Sequence, residues 1–132
     1  STRAAVPDGS TERVRLLGID TPELAHDGDA AQCGGEEAAE RLAELLPEGT
    51  PVQLVSDSRA DDEDRYGRLL RYVETDDGDA GATLIGEGYA YAWAPDGAPD
   101  PERLGDYENA TADAREAKTG SWAACPNLGE SR

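Results

Sequence analysis

Residues 15–23 read Arg-Leu-Leu-Gly-Ile-Asp-Thr-Pro-Glu, and this stretch decides the fold. Just before and within it, apolar side chains fall on both faces of an extended chain: Val14 and Leu16 on one, Leu17 and Ile19 on the other. A strand with two apolar faces is more typical of a barrel than of a sheet with one face in solvent. The stretch therefore predicts a buried barrel strand over residues 13–19.

An acidic cluster, Asp20-Thr21-Pro22-Glu23, follows where this strand should end. Carboxylates held this close together by a proline suit a hard, oxygen-preferring cation or a proton transfer. The same four residues also fit an ordinary turn that enters a loop, which is frequent in any acidic protein.

Two arginines stand out against apolar surroundings. Arg15 lies inside the predicted strand, and Arg68 begins another strand just after the turn-like pair Tyr66-Gly67. The planar guanidinium fork matches a pair of phosphate oxygens, and both arginines emerge from rigid elements. The alternative is that each arginine covers a sheet edge or pairs with nearby acids.

Elements on either side of this stretch complete an α+β domain. We predict strands over residues 3–6, 11–19, 52–55, 69–73 and 89–93, with a hairpin turn at 7–10 and an acidic loop at 57–65. We predict helices over residues 36–46, 82–87 and 101–118, the last with Asp100 as its N-cap and Leu104, Tyr107, Thr111 and Ala114 on its inner face. Short strands, an inserted helix and a closing helix predict a small β-barrel carrying about three helices.

The composition favours one salt-adapted domain over residues 1–132. The chain has 29 acidic and 12 basic residues, a net charge of −17, and its only lysine is Lys118. Such a charge also fits disorder, but the periodic apolar residues favour a fold. In molar salt the Debye length is about 3 Å, so only arginines in direct contact would hold a nucleic-acid phosphate.

The two cysteines, Cys33 and Cys125, are too few for a zinc site and lack the spacing of one. They fit either a disulfide that closes a long loop or two buried free thiols. A disulfide would favour an oxidising compartment and hence a secreted protein.

Two motifs in this order, with a helix between them, resemble a known family. Residues 15–23 resemble the signature of the staphylococcal nuclease family, and Asp64-Arg-Tyr-Gly-Arg68 resembles its second motif. The resemblance continues through Gly88-Tyr-Ala90 and the closing helix to Trp122, and so covers nearly the whole chain.

The resemblance implies a barrel of the oligonucleotide-binding (OB) type and a role for each motif residue. Asp20 would bind Ca²⁺ through its carboxylate and Thr21 through its backbone carbonyl. Glu23 would orient or deprotonate the attacking water, and Arg15 and Arg68 would hold the scissile phosphate. Tyr66 would hydrogen-bond a phosphate or, alternatively, pack against the barrel.

We therefore expect a Ca²⁺-dependent endonuclease that cleaves DNA and RNA with little sequence preference. Two alternatives are a nucleic-acid-binding module of the same fold that has lost catalysis, and a non-catalytic extracellular domain. We expect a monomer, and no membrane span, because no apolar stretch approaches the roughly 20 residues that cross a bilayer.

One departure from the family concerns the start of the chain. The family's first strand carries an Asp-Gly-Asp-Thr motif whose second aspartate is another calcium ligand. Spacing back from Arg15 places that aspartate on Ser1 and the threonine near Thr2. We therefore expect this chain to lack the family's first strand and to bind calcium weakly.

Other polar and aromatic residues carry weaker signals. We interpret the acidic runs at 27–29 and 76–79 as solvated loops, because neither completes a calcium-binding loop, and His26 as a surface residue. The aromatic residues of the last strand fit either base stacking or core packing: Tyr89, Tyr91 and Trp93.

Overall fold

A computed structural model describes residues 2–5 and 10–129. Its strands are β1 Thr2–Ala5, β2 Thr11–Leu16, β3 Ile19–Asp20, β4 Gln53–Val55, β5 Leu69–Thr75, β6 Gly78–Asp79 and β7 Tyr91–Ala92. Its helices are α1 Gly35–Leu45, α2 Ala80–Gly86 and α3 Leu104–Glu116, followed by a 3₁₀ turn at Gly120–Ala123. The predicted α+β class with three helices is confirmed. No helix in the described part of the chain is long and apolar enough to span a membrane.

The strands form two sheets. The larger has the order β1-β2-β5-β4 with β6 added on β5, and the smaller pairs β3 with β7. β1 and β2 form the predicted antiparallel hairpin, but most of its turn and Ser1 lie outside the described residues. The closed barrel of the OB type stays a prediction, because the described strands belong to two separate sheets.

Parallel pairing of β2 with β5 brings the two sequence motifs together. Arg15 on β2 stands opposite Leu70 on β5, and Arg68 immediately precedes β5. Two arginines that are far apart in the sequence therefore lie close together, where β5 begins beside the end of β2.

The predicted continuous strand over residues 13–19 is wrong. β2 ends at Leu16, Leu17 and Gly18 form a turn, and β3 leaves to pair with β7. Gly18 has a φ of 76°, and a Cβ there would lie 3.0 Å from the ring of Tyr107. A glycine is needed at this point because of both the left-handed backbone and the close packing.

The core lies between the sheets and the helices. One buried cluster joins Leu17 and Ile19 after β2 to Leu84 and Ile85 of α2 and Tyr107 of α3. A second cluster holds the C-terminal segment, with these members: Ala114, Trp122, Cys125 and Leu128. Cys33 and Cys125 form a disulfide with a Cα–Cα distance of 5.9 Å, which ties the segment before α1 to this second cluster.

The closing helix begins later than predicted. α3 starts at Leu104, with Arg103 rather than Asp100 at the N-cap position. The preceding residues form a turn in which the Leu104 N–H donates to the Pro101 carbonyl, while the Glu102 N–H donates to the Asp57 carboxylate. The local turn and the tertiary bond to Asp57 take the place of a side-chain cap. The predicted inner face is confirmed, since Leu104, Tyr107 and Ala114 are buried and Thr111 is partly buried.

Candidate active site

One cleft brings together the arginines and the acidic cluster that the sequence singled out. It has a volume of about 330 Å³, and its polar lining consists of Arg15, Asp20, Thr21, Glu23 and Arg68. Apolar side chains from β2, α1 and α2 form its floor, among them Val14, Leu42 and Leu84. The prediction that these distant residues converge on one pocket is confirmed.

Arg15 enters the cleft from the end of β2, and main-chain oxygens hold it. Its Nη1 donates to the carbonyls of Leu16 and Ile19, each at 2.9 Å, and its Nη2 lies 3.5 Å from Oδ1 of Asp20. Burial lowers the pKa of Arg15 from its ordinary value, Asp20 partly offsets this, and the nearby Arg68 adds to the lowering. The guanidinium charge is thus only partly balanced, which is an arrangement suited to an incoming anion.

The side chain of Arg68, in contrast, is oriented by the carboxylate of Asp64. Nε of Arg68 donates to Oδ2 of Asp64 at 2.6 Å, while Oδ1 of Asp64 accepts from the backbone N–H groups of Tyr66 and Arg68. Desolvation raises the pKa of Asp64, but the hydrogen bonds from Arg68 and Tyr66 outweigh it and leave the pKa below its usual range. Asp64 therefore fixes both the turn and the direction of the Arg68 side chain.

Asp20 lies where β3 ends. Its Oδ1 accepts the N–H of Thr21 at 2.9 Å. Burial, together with the neighbouring Asp20 carboxylate, raises the pKa of Tyr91 to about 12. Tyr91 thus belongs to the surroundings of the site, although the sequence indicated only a choice between stacking and packing.

The described part of the chain offers few ligands for a metal ion in this cleft. Asp20 and Thr21 offer a carboxylate and a carbonyl oxygen, the donor types that calcium prefers. Over residues 2–5 and 10–129, no three His, Cys, Asp or Glu side chains are grouped so that they could hold a metal ion. The donor chemistry of Asp20 and Thr21 fits calcium.

Glu23 follows the acidic turn, and its carboxylate is 66% exposed. The backbone N–H of Glu23 donates to Oε1 of Gln32 at 2.8 Å, and Oε2 of its carboxylate lies 3.4 Å from Nε2 of His26. A hydrogen bond to Glu23 and another to Asp27 raise the pKa of His26. His26 is exposed as predicted, yet it contacts Glu23 of the site. Its position three residues after Glu23 in the sequence could have indicated this contact. Nothing in the sequence pointed to Gln32.

A second cleft of about 430 Å³ adjoins the first and shares Arg15, Leu16 and Arg68 with it. Tyr66 and Trp93 line it with side chains that are 57% and 44% exposed, so neither is packed in the core. Trp93 faces Arg15, whose guanidinium carbon lies 5.5 Å from the ring centroid. Exposed aromatic faces beside arginines are suited to stacking on bases.

The remaining predictions, which concern acidic loops and aromatic residues, agree with the structure in part. Asp27 and Asp29 are exposed, as are Asp76 and Asp77. Asp79 is not a solvated loop residue, because it caps α2 through the Ala82 N–H and accepts from Arg103 and Tyr107. Tyr89 and Tyr91 pack against the two core clusters rather than opening to solvent.

The family described as "Staphylococcal nuclease homologue" matches residues 13–124, a span that includes every residue of the first cleft. The chain belongs to the staphylococcal nuclease family. Both motifs, the intervening helix and the closing helix lie within the matched region.

Several curated proteins are similar to much of the chain. A protein named SPbeta prophage-derived endonuclease YokF, from Bacillus subtilis, is 34% identical over 88% of this chain. Endonuclease YncB of the same organism is 38% identical over 71% of the chain. A thermonuclease of Staphylococcus intermedius is 38% identical over 64% of it.

These relatives are longer than the region they share with this chain. The matches cover 38%, 45% and 49% of YokF, YncB and the thermonuclease, respectively. The chain thus corresponds to half or less of each relative's length.

Proposed function

We propose that the chain is a calcium-dependent phosphodiesterase that cleaves DNA and RNA with little sequence preference. The observation that carries the proposal is the convergence of Arg15, Arg68 and Glu23 with Asp20 and Thr21 on one cleft. Family membership and the names of the relatives support a nuclease reaction.

The residues divide the work of phosphodiester hydrolysis. Arg15 and Arg68 bind the non-bridging phosphate oxygens and stabilise the charge that grows on them in the transition state. Glu23 orients the attacking water and takes its proton as the new P–O bond forms. The opposite P–O bond breaks, and the leaving oxygen is protonated from solvent. Asp20 and Thr21 would hold the calcium ion, whose positive charge would further stabilise the developing negative charge.

An overall acidic chain can bind a polyanion because its arginines are placed locally. Arg15, Arg59, Arg65 and Arg68 line the two clefts. At high salt the short Debye length screens the acidic residues elsewhere, while arginines in direct contact with a phosphate keep their effect. Tyr66 and Trp93, exposed beside these arginines, would contact the bases or phosphates next to the scissile bond.

We also propose that the protein works outside the cytoplasm in a salt-rich setting. The Cys33–Cys125 disulfide supports an oxidising compartment, and the net charge of −17 supports salt adaptation.

The test is a cleavage assay on labelled single-stranded DNA and RNA oligonucleotides of mixed sequence. We expect cleavage of both with added calcium, loss of cleavage on chelation, and a strong decrease in Arg68→Ala. Binding without cleavage at saturating calcium would instead favour the nucleic-acid-binding module, for which the small number of described metal ligands is the supporting observation. If the protein neither binds nor cleaves the oligonucleotides, both the nuclease and the binding-module proposals are contradicted.

A further inference from the structure

The backbone of Glu23 is held on both sides by one residue. The N–H of Glu23 donates to the side-chain Oε1 of Gln32 at 2.8 Å, and the N–H of Gln32 donates to the carbonyl of Glu23 at 2.9 Å. This pair of bonds crosses the base of the loop between the two residues. The two bonds fix the position of the Glu23 backbone relative to the start of α1.

The position of the Glu23 carboxylate depends on this backbone clamp. The Glu23 side chain is 66% exposed, and its carboxylate lies 3.4 Å from His26, whose side chain is itself more than half exposed. Solvent-exposed pairs of this kind contribute little to order, so side-chain contacts do not fix the carboxylate. Its placement in the cleft follows from where the backbone of residue 23 is held.

The clamp residue is in turn anchored by the disulfide. Gln32 immediately precedes Cys33, which is bonded to Cys125 of the C-terminal cluster. A Cβ on Gly34 would meet Pro22 and Leu128, each at 3.3 Å. Residues 32–34 therefore lie between the Pro22-Glu23 turn and the C-terminal segment, in contact with both.

The next residue shows how tightly these segments pack. A Cβ on Gly35 would collide with the carbonyl oxygen of Glu23, so the first turn of α1 lies directly against the site loop. The two segments are in direct contact, so there is no free space between them. A shift of residues 32–35 would therefore move Glu23.

We propose that Gln32, anchored by the Cys33–Cys125 disulfide, is a positioning residue for Glu23 and makes turnover depend on the redox state of the two cysteines. The inference rests on the proposed nuclease function and deepens it. Reduction takes two electrons and two protons, which a dithiol such as dithiothreitol supplies as it cyclises to its own disulfide. The two resulting thiols no longer anchor Gln32. Glu23 then leaves its productive position, while Arg15 and Arg68, held by other elements, stay in place.

The first experiment measures the clamp without any reaction. The exchange of the Glu23 amide hydrogen with solvent is followed in the oxidised protein, the reduced protein, Gln32→Ala and Gln53→Ala. We expect exchange at least about tenfold faster after reduction and in Gln32→Ala, because the N–H loses its acceptor. Gln53 is the matched control, an exposed glutamine on β4 away from the cleft. Unchanged exchange in Gln32→Ala would overturn the proposal.

The second experiment measures turnover of a labelled oligonucleotide at saturating calcium. We expect reduction and Gln32→Ala each to lower kcat about tenfold or more with little change in KM, since a displacement near 1 Å can cost about 10²-fold. In a Glu23→Gln background neither change should lower kcat further. An equal loss in that background would assign the effect to general loosening and overturn the proposal.

The outcomes separate this inference from the proposed function. If the oxidised protein does not cleave DNA or RNA with calcium, the proposed function fails, and with it the turnover part of the inference. If it cleaves, and neither reduction nor Gln32→Ala changes kcat, the inference alone fails. Because Gln32→Ala retains the disulfide, the measurements on this variant still test the positioning role of Gln32 even if the reduced protein unfolds.

Discussion

Arg15 and Arg103 are both partly buried arginines, yet their surroundings differ. Arg15 is bonded to two backbone carbonyls, and its nearest carboxylate oxygen, on Asp20, is 3.5 Å away. Arg103 has its Nη2 2.8 Å from Glu74 and its Nη1 2.9 Å from Asp79, and its guanidinium lies over the ring of Tyr72. Burial lowers the pKa of both, but in Arg103 the hydrogen bonds to Asp79 and Glu74 outweigh it and raise the pKa.

This difference separates a site residue from a structural one. Arg103 is paired with two acidic residues of the protein itself. These ion pairs join the start of α3 to β5 and to the N-terminus of α2. Arg15 has positive charge that the protein balances only in part, in a cleft that opens to solvent. Unbalanced charge at a defined position costs stability, and a ligand of opposite charge offsets that cost when it binds.

The largest expected effect is on catalysis by Arg15→Ala. We expect kcat to fall by about 10²–10³, because one preorganised donor to the transition state is lost. The melting temperature should change little, because the substitution also removes a poorly balanced charge. Measuring kcat and melting temperature for this variant beside Arg115→Ala, an exposed arginine of α3, gives the matched control. An equal loss of activity in both variants would show that Arg15 has no special role.

Arg103→Ala should show the opposite pattern. Removing the guanidinium leaves Asp79 and Glu74 without their cationic partner and should lower the free energy of unfolding by about 2 kcal/mol. Turnover per folded molecule should stay near that of the unmodified protein. Chemical denaturation and active-site titration measure the two quantities. A variant that folds normally but turns over slowly would erase the distinction between the two arginines.

The sequence predicted which polar side chains share a cleft better than it predicted the details of the fold. Arg15, Asp20 and Glu23 could be found because phosphate and metal chemistry needs those residue types at the end of a strand, and a family resemblance supported the choice. The break of the strand at Gly18 could not be predicted, since it depends on the packing of Tyr107 from a distant helix. The late start of α3 depends likewise on Asp57, which is bonded across the fold.

Asp57 predicts an acid-sensitive stability. Burial raises its pKa, but hydrogen bonds from Tyr72 and from two backbone N–H groups outweigh this and lower it below the ordinary value. A carboxyl group with a depressed folded pKa stabilises the fold above its unfolded pKa, about 3.9, and the stability is lost as pH falls through the folded pKa. Melting temperature should therefore decrease below about pH 4.

The control for this prediction is Asp57→Asn, which keeps the shape and removes the titration. This variant should be less stable than the unmodified protein at neutral pH and should lose less stability on acidification. Parallel curves for the two proteins over the acidic range would show that Asp57 does not contribute to the pH dependence.

The smallest expected effect is that of salt. With a net charge of −17, the folded chain repels itself, and raising salt from about 0.1 M to 1 M shortens the Debye length from about 10 Å to 3 Å. The melting temperature should rise by a few degrees. The short ion pairs of Arg103 should be less affected than the exposed charges, so Arg103→Ala should show a similar rise. A flat or falling melting temperature would show that repulsion does not limit stability.

The most direct test of the account is the calcium dependence of oligonucleotide cleavage by the unmodified protein and by Glu23→Gln. We expect the unmodified protein to cleave only with calcium, over a high concentration range because its described ligands are few. We expect Glu23→Gln to fold equally well and to cleave about 10²–10³ times more slowly at saturating calcium. Equal cleavage by the two proteins, or cleavage that persists in excess chelator, would contradict the proposed function.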